Sequence, residues 1–398
     1  MTKRLKRKYR PLRCSSALKG WQRRLKRHPQ LAFVLGLFAL FLSVVLLALN
    51  PGQHPFEVQL VSGSLGFTTD EPLTHFLKDI RPVPEITIRG MASQDWTLSG
   101  IFLNKEAQGL TELTIKLPYE DSSVSFKAVT SDNATDQCPV GNIEIESLQL
   151  ANNTEVSALS YQSHGRILGM SFQHDEQISP DSLSFLDLAL NDCLELTMAG
   201  YKIPELGLEE SDTTKSFTLQ SILEGSEWTF LLPKVGGLDV ELSTTEDNPD
   251  DAREWFWGDL DVKDVKFLRQ RSTGLGIDET VDYSTIQEGR VRMVDQELEI
   301  APNQFLITKK PGIQKIRTFQ ILDDNDDTPQ GIGIRAVGKT SQVQVGLDEG
   351  FPIRGIRSNI LAQIFPPNAM VAIVAFSGAM VSTLLSWLVD NLFKSSDD

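Results

Sequence analysis

The chain has 398 residues, which is long enough for two ordinary domains. Its formal net charge of −15 is unevenly distributed: residues 1–30 hold twelve Lys and Arg and no acid, whereas residues 31–365 hold 25 of the 38 basic and 50 of the 53 acidic residues. An acidic body of this kind is repelled by nucleic acid, so we predict no nucleic-acid partner.

The first predicted element is a transmembrane helix over residues 31–49, nineteen residues without a charge. At about 1.5 Å per residue, this segment is long enough to cross the apolar part of a bilayer. No A-x-A-like cleavage pattern follows it, which favours an uncleaved signal-anchor. The basic head, residues 1–30, predicts a cytoplasmic N-terminus and an extracytoplasmic body. Membrane lipid is therefore an expected partner.

The body shows short runs in which apolar and polar residues alternate, the period of a half-buried strand. Turn residues separate the runs, so we predict a mainly β fold, an antiparallel β-sandwich-like extracytoplasmic body. The acidic, turn-rich residues 243–253 predict a linker between two β-rich domains, residues 51–242 and 254–352. The clearest alternating runs are EITIR at 85–89, LTIKL at 113–117, VSFKA at 124–128, LELTM at 194–198, LDVEL at 238–242 and QVQVG at 342–346.

Three segments interrupt this β pattern. Residues 73–80 and 250–257 carry short helical signals. Residues 353–365 place isoleucine and leucine at helical spacing, which predicts a juxtamembrane amphipathic segment on the outer leaflet; a final strand followed by coil is the alternative. A second transmembrane helix, residues 369–389, then leads to a cytoplasmic tail, residues 390–398.

The two cysteines of the body, Cys138 and Cys193, lie in a compartment that we predict to be oxidising, and such pairs usually form a disulfide. The closed loop of 54 intervening residues would stabilise the fold by about 3–4 kcal/mol in the chain-entropy model. Two unlinked cysteines in adjacent buried strands are the alternative.

Catalytic and metal-binding motifs give no firm assignment. The acidic turn at 323–327 fails the EF-hand pattern, because Thr328 stands where glycine is required and Ile334 where glutamate is required. Asp259 and Asp261 form a D-x-D sequence, but alternation with Leu260 predicts two carboxylates on the polar face of a strand. No nucleophile elbow, phosphate-binding loop or zinc-protease motif is found. We therefore predict no enzyme, cofactor or metal.

Small residues follow one face of each predicted transmembrane helix, within a stripe about 60° wide. Such stripes let helix backbones approach closely in lipid. We predict antiparallel packing that brings Gly36 near Ser382 and Ser43 near Ala375, with self-association between chains as the alternative. The stripe residues are Ala32, Gly36, Ala39 and Ser43 in the first helix and Ala375, Ala379, Ser382 and Ser386 in the second.

Two anchors and a large β surface favour a membrane-anchored binding or scaffolding protein of the cell envelope, with an envelope protein or glycan as partner. A lipid- or glycan-handling transport protein is the alternative, and it would need an apolar channel through the sheets. An envelope hydrolase or transferase is the third, and it would need carboxylates that converge in a pocket. Asn133 and Asn152 begin glycosylation sequons, which matter only in a host that modifies secreted protein.

Overall fold

A computed structural model describes residues 29–90, 94–173, 184–211, 214–221, 227–232, 235–243, 254–272, 280–322, 329–348 and 350–394. About 60% of the chain is in strands, and the large sheets are antiparallel, which confirms the mainly β prediction. The chain divides into two compact units, Gln53–Arg357 and the pair Met1–Gly52 with Ser358–Asp398.

The described part of the second unit is helical. It contains α1 (Pro29–Leu49), a short 3-10 helix η2 (Ile360–Gln363) and α2 (Pro367–Lys394). Within α2, Asn368–Val389 is long and apolar enough to cross a membrane, whereas the described apolar part of α1, Phe33–Leu49, is shorter.

Backbone hydrogen bonds join the segments that follow α1 and precede α2. The Ile360 N–H donates to the Asn50 carbonyl, and the Gly52 N–H donates to the Ser358 carbonyl, both over 3.2 Å. A Cβ at Gly52 would lie 2.7 Å from the carbonyl carbon of Asn359, so this close approach requires glycine. The two chain segments are therefore held together by their main chains.

Of the described elements, the unit Gln53–Arg357 contains every strand and one 3-10 helix, η1 (Pro204–Leu206). The strands are β1 (His54–Ser62), β2 (Leu65–Thr69), β3 (Leu73–Ile80), β4 (Glu85–Arg89), β5 (Gln94–Ser99), β6 (Ile101–Phe102), β7 (Glu112–Leu117), β8 (Ser123–Ala128), β9 (Asn142–Ala151), β10 (Glu155–Gln162), β11 (Ile167–Gln173), β12 (Phe185–Asn191), β13 (Cys193–Ala199), β14 (Tyr201–Ile203), β15 (Leu208–Ser211), β16 (Lys215–Gln220), β17 (Glu227–Leu231), β18 (Val235–Glu241), β19 (Glu254–Lys266), β20 (Leu268–Ser272), β21 (Thr280–Ser284), β22 (Ile286–Met293), β23 (Gln296–Ile300), β24 (Phe305–Thr308), β25 (Gly312–Leu322), β26 (Gly331–Thr340), β27 (Gln342–Asp348) and β28 (Phe351–Arg357).

Fifteen of these strands form one long sheet, in the order β23-β22-β1-β26-β25-β19-β2-β10-β11-β18-β4-β8-β13-β16-β6. Strand β1 pairs with β22 on one side and β26 on the other, so the N-terminal strand is built into the C-terminal half of the sheet. Strand β19 pairs first with β25 and then with β2. These pairings place residues 53–357 in one compact unit. The division of the body into two β-rich domains, 51–242 and 254–352, stays a prediction. Of the predicted linker 243–253, only Ser243 lies within the described residues.

A four-stranded sheet, β17-β12-β9-β3, packs on the long sheet. The ring of Phe76 in β3 lies 5.5 Å from that of Phe67 in β2 and 5.7 Å from that of Phe319 in β25. At the other end, the ring of Phe230 in β17 lies 5.7 Å from that of Phe126 in β8. Apolar side chains therefore fill the space between these two sheets, while a sandwich arrangement of the whole body stays a prediction.

Two segments with helical signals are strands in the structure. Residues 73–80 form β3, because a bulge between His75 and Leu77 puts both Phe76 and Leu77 in the core. Residues 353–357 belong to β28, which pairs with β27 and buries Ile356 next to Val343. Only Ile360–Gln363 is helical in the predicted amphipathic segment 353–365, as one 3-10 turn. In the other segment with a helical signal, 250–257, the described residues 254–257 form the start of β19.

Candidate functional site

The main candidate site is a cleft of about 900 Å³ over the polar face of β23, β22, β1, β26 and β25. Alternation explains its composition. In β1, Phe56, Val58 and Leu60 are buried in the core, and Gln59 between them turns to the opposite face. Charged side chains of the neighbouring strands follow the same rule, so the cleft combines polar and charged groups with apolar side chains such as Ile300, Leu322 and Ile334.

Arginine side chains in the cleft are held in fixed orientations. Arg290 donates from Nε and Nη2 to the Oε1 of Gln59, over 3.1 and 2.7 Å. Just outside the cleft, Arg292 donates to the Oε2 of Glu297, a residue that lines the cleft, over 3.0 Å, and this carboxylate raises the pKa of Arg292. Arg335 pairs with Glu57 of β1 in the same way. The polar floor of the cleft is therefore pre-organised by paired charges.

Three further charged groups line the cleft without an ion pair to any residue that the structure describes: Glu288, Glu299 and Arg354. Glu288 and Glu299 come from β22 and β23, and Arg354 comes from β28 of the separate three-stranded sheet β24-β27-β28. A ligand with groups of both signs could pair with them without breaking an existing salt bridge.

A second polar cluster lies where β19 pairs with β25. The Lys315 Nζ is 2.7 Å from Asp261 and 3.8 Å from Asp259, while Arg317 is 3.8 Å from Asp259. A hydrogen bond between Glu71 and Asp261 raises the pKa of Glu71 and lowers the pKa of Asp261. The hydrogen bond from Lys315 to Asp261 raises the pKa of Lys315.

This second cluster is a network of ion pairs on a strand face. Leu260, between the two aspartates, is buried in the core, so both carboxylates lie on the opposite, polar face, which the D-x-D spacing predicts. Among the described residues, no group of three or more His, Cys, Asp or Glu is arranged to hold a metal ion. The predicted acidic turn 323–327 lies outside the described residues.

The structure joins Cys138 and Cys193 in a disulfide, with Cα atoms 5.3 Å apart. Cys193 begins β13, and its carbonyl accepts a hydrogen bond from the N–H of Val129, just after β8. Cys138 lies in the loop between β8 and β9, where its N–H and carbonyl pair with Thr135. The bond therefore fastens this loop to the long sheet.

The structure does not bring the two small-residue stripes together. Gly36, Ala39 and Ser43 lie on the exposed side of α1, and a Cβ added at Gly36 would meet no atom within 4 Å. In α2, the whole predicted stripe is likewise exposed: Ala375, Ala379, Ser382 and Ser386. The side chain of Ala32 lies outside the described residues.

The two helices meet through larger side chains instead. The ring of Phe41 lies 5.7 Å from that of Phe376, edge to face. Small residues also lie on this face, and Ser377 is 2% exposed. The more buried positions are Val34, Phe38, Phe41, Val45 and Ala48 in α1 and Ile373, Ser377, Met380, Leu384 and Leu388 in α2. Self-association between chains through the exposed stripes stays a prediction.

Sequence reasoning missed the cleft. Its residues come from strands that are far apart in the chain, and each local pattern, such as QEGRVRM in β22, indicates only a polar strand face. The sequons lie in exposed turns at Asn133 and Asn152. Comparisons of the chain with protein-family models, with curated proteins and with solved structures find no match.

Proposed function

We propose that this chain is a membrane-anchored binding protein of the cell envelope, whose cleft holds a charged segment of a partner protein. The observation that carries the proposal is a set of three charges, Glu288, Glu299 and Arg354, which form no ion pair with any described residue. They lie in the same cleft as Arg290, whose guanidinium is already oriented by hydrogen bonds to Gln59. Pre-organised groups lose little entropy when a ligand binds, so such a surface favours recognition.

Membrane anchoring is supported by α2, whose residues Asn368–Val389 are long and apolar enough to cross a bilayer. We propose that α1 crosses beside it, since Phe41 and Phe376 are in contact. We propose that the N-terminal end of α1 and the C-terminal end of α2 lie in the cytoplasm, with residues 53–357 on the other side. The twelve basic residues before α1 support this orientation.

A protein partner fits the cleft better than a glycan. Sugar rings are commonly held against aromatic faces, and no residue lining the cleft is aromatic in the described part of the chain. Guanidinium and carboxylate groups suit the charged side chains and carboxylates of a polypeptide. Lipid transport is less well supported, because phenylalanine rings fill the space between the two sheets at Phe67, Phe76 and Phe319.

Photo-crosslinking in host membranes tests the proposal. A photoreactive amino acid at Thr318, which lines the cleft, should give one discrete adduct. The same amino acid at Thr87, a half-buried position on β4 of the same sheet, is the matched control and should give none. The double variant Glu288→Arg and Glu299→Arg should reduce the Thr318 adduct at least about tenfold, since two favourable pairs become repulsive.

Two results would oppose the proposal. Adducts of equal yield from Thr318 and Thr87 would show that the cleft is not a preferred contact. An adduct from Thr318 that survives the charge reversal, or that consists of lipid, would favour the transport alternative or a contact without charge recognition.

A further inference from the structure

The polar face of the long sheet carries two apolar side chains inside the cleft, Val61 of β1 and Leu322 of β25. Leu60 and Ile321 are buried in the core, so the residue that follows each of them lies on the opposite face of the sheet. Polar side chains such as Gln59 are usual on that face. Val61 and Leu322 therefore form a distinct patch, which we call the apolar spot.

Two glycines let these side chains lie against the sheet. A Cβ at Gly333 would be 3.2 Å from the Cδ1 of Leu322, so Leu322 covers the backbone where Gly333 has no side chain. A Cβ at Gly331 would be 3.5 Å from the Cγ1 of Val61. Val61 is 9% exposed and Leu322 is half-buried, so Leu322 supplies more of the open surface. A shallow spot of this kind suits one aliphatic side chain.

A carboxylate adjoins the apolar spot. The register pairs Val61 with Gly333 on one side and with Glu288 on the other, so the three residues form a row across β26, β1 and β22. Two strand spacings, about 9.6 Å, separate Gly333 from Glu288. Glu288 forms no ion pair with any residue in the described ranges. An extended segment with an aliphatic side chain over Gly333 therefore brings a long basic side chain two positions away, about 6.7 Å along the segment, within reach of Glu288.

We propose that the apolar spot and Glu288 together recognise one short motif of the partner segment, an aliphatic residue of about the size of leucine with lysine or arginine two positions away. The inference rests on the proposed function and names the chemistry of its partner. In an extended chain, residues two positions apart face the same side, so both side chains reach the cleft together. Charge alone would accept any basic segment, and the apolar spot adds the discrimination between them.

Two synthetic peptides measure the contact at the apolar spot. Lys-Ser-Leu-Ser-Lys and Lys-Ser-Ala-Ser-Lys, each with an N-terminal fluorescein and a C-terminal amide, are titrated with the full chain in phosphatidylcholine nanodiscs, and binding is followed by fluorescence anisotropy. The leucine peptide should bind at least about fivefold more tightly, because more apolar surface is buried. Glu288→Gln should weaken both peptides by a similar factor, because they share the lysines.

A variant of the apolar spot and a matched control complete the cycle. In Leu322→Ala the ratio of the two affinities should fall below about twofold, because the partner surface for leucine is removed. In Leu231→Ala, where an exposed leucine of β17 is lost, the ratio should stay at about fivefold. A merely structural role of Leu322 would weaken both peptides equally and leave the ratio unchanged.

An unchanged ratio in Leu322→Ala refutes the inference, and so does a full chain that binds neither peptide. The Thr318 adduct in host membranes decides separately about the proposed function. A discrete adduct together with a negative peptide result removes this inference and leaves the function, whereas absence of the adduct removes the function itself. An adduct between two copies of this chain would identify a dimer contact as the occupant and would also refute the motif.

Discussion

Replacing Phe76 by alanine should destabilise the strand-bearing unit more than a comparable change elsewhere on β3. Phe76 is 1% exposed, and its ring contacts those of Phe67 and Phe319. Loss of its burial accounts for about 2–3 kcal/mol, and loss of the two ring contacts for about 0.5–1.5 kcal/mol each. The expected total of about 3–6 kcal/mol overlaps the about 3–5 kcal/mol that is typical of core Phe→Ala replacements.

The matched control is Leu73→Ala on the same strand, where the side chain is 45% exposed. It should cost less than about 1 kcal/mol. Urea unfolding of the detergent-solubilised full chain, followed by tryptophan fluorescence, measures both. For a unit of this size the Phe76 change should also lower Tm by roughly 5–15 °C.

The comparison separates a strand from a helix. In a helix, positions 73, 76, 77 and 80 lie on one face, so Leu73 and Phe76 would be buried together. In the bulged strand they are not. Equal losses from Leu73→Ala and Phe76→Ala would therefore refute both the strand assignment and the packing of the four-stranded sheet on the long sheet.

Three further predictions concern polar and covalent groups. Replacing Cys138 and Cys193 by alanine should cost about 4 kcal/mol, the chain-entropy value for this loop, and an unchanged urea midpoint would contradict it. Thr74→Val should raise Tm by a few degrees, because the buried hydroxyl has no hydrogen-bond partner among the described residues; a lower Tm would show that it has one. Glu71→Gln should stabilise the protein at pH 7, because the carboxylate of Glu71 repels Asp261 there. The variant should not stabilise the protein below pH 4.5, the ordinary pKa of glutamate, because Glu71 is then protonated and donates its hydrogen bond to Asp261. Equal stability differences at pH 7 and pH 4 would refute this assignment.

The sign of that pH dependence follows from the direction of each pKa shift. The raised pKa of Glu71 gives a stabilising contribution below pH 4.5 that is lost as the pH rises through the folded-state value. The lowered pKa of Asp261 gives a contribution above its ordinary pKa of 3.8 that is lost in stronger acid. The two effects oppose each other, which is why the Gln variant, with one of them removed, is informative.

Strand identity was predictable where alternation is strict. EITIR became β4, with Ile86 and Ile88 buried, because a period of two leaves no other way to bury both side chains on one sheet. The same reasoning failed at β3, since a bulge shifts the period by one residue and imitates helical spacing. Bulges depend on the partner strand, which a local pattern does not contain.

Partners and sites were less predictable than strands. The pairing of Val58 with Val291 and Ala336 joins residues more than 200 positions apart, and many strands offer the same pattern. The cleft was not predictable for the same reason, because Arg290 and Gln59 come together only when β22 pairs with β1. Helix contacts are equally hard to read from local spacing: small residues permit close approach, whereas the structure pairs the rings of Phe41 and Phe376. Packing through the small-residue stripes stays a prediction.

The position of β1 also has a consequence for the time course of folding. Val58 leaves the ribosome early, yet its partner Ala336 follows 278 residues later. At roughly 5–20 residues per second this is a delay of roughly 15–55 s, during which the edge of β1 that pairs with β26 lacks its partner. Closure of the long sheet is therefore a late event with high contact order, and it is slow once the chain is complete. The nascent chain accordingly needs protection of an unpaired, largely apolar strand until residue 340 has been made.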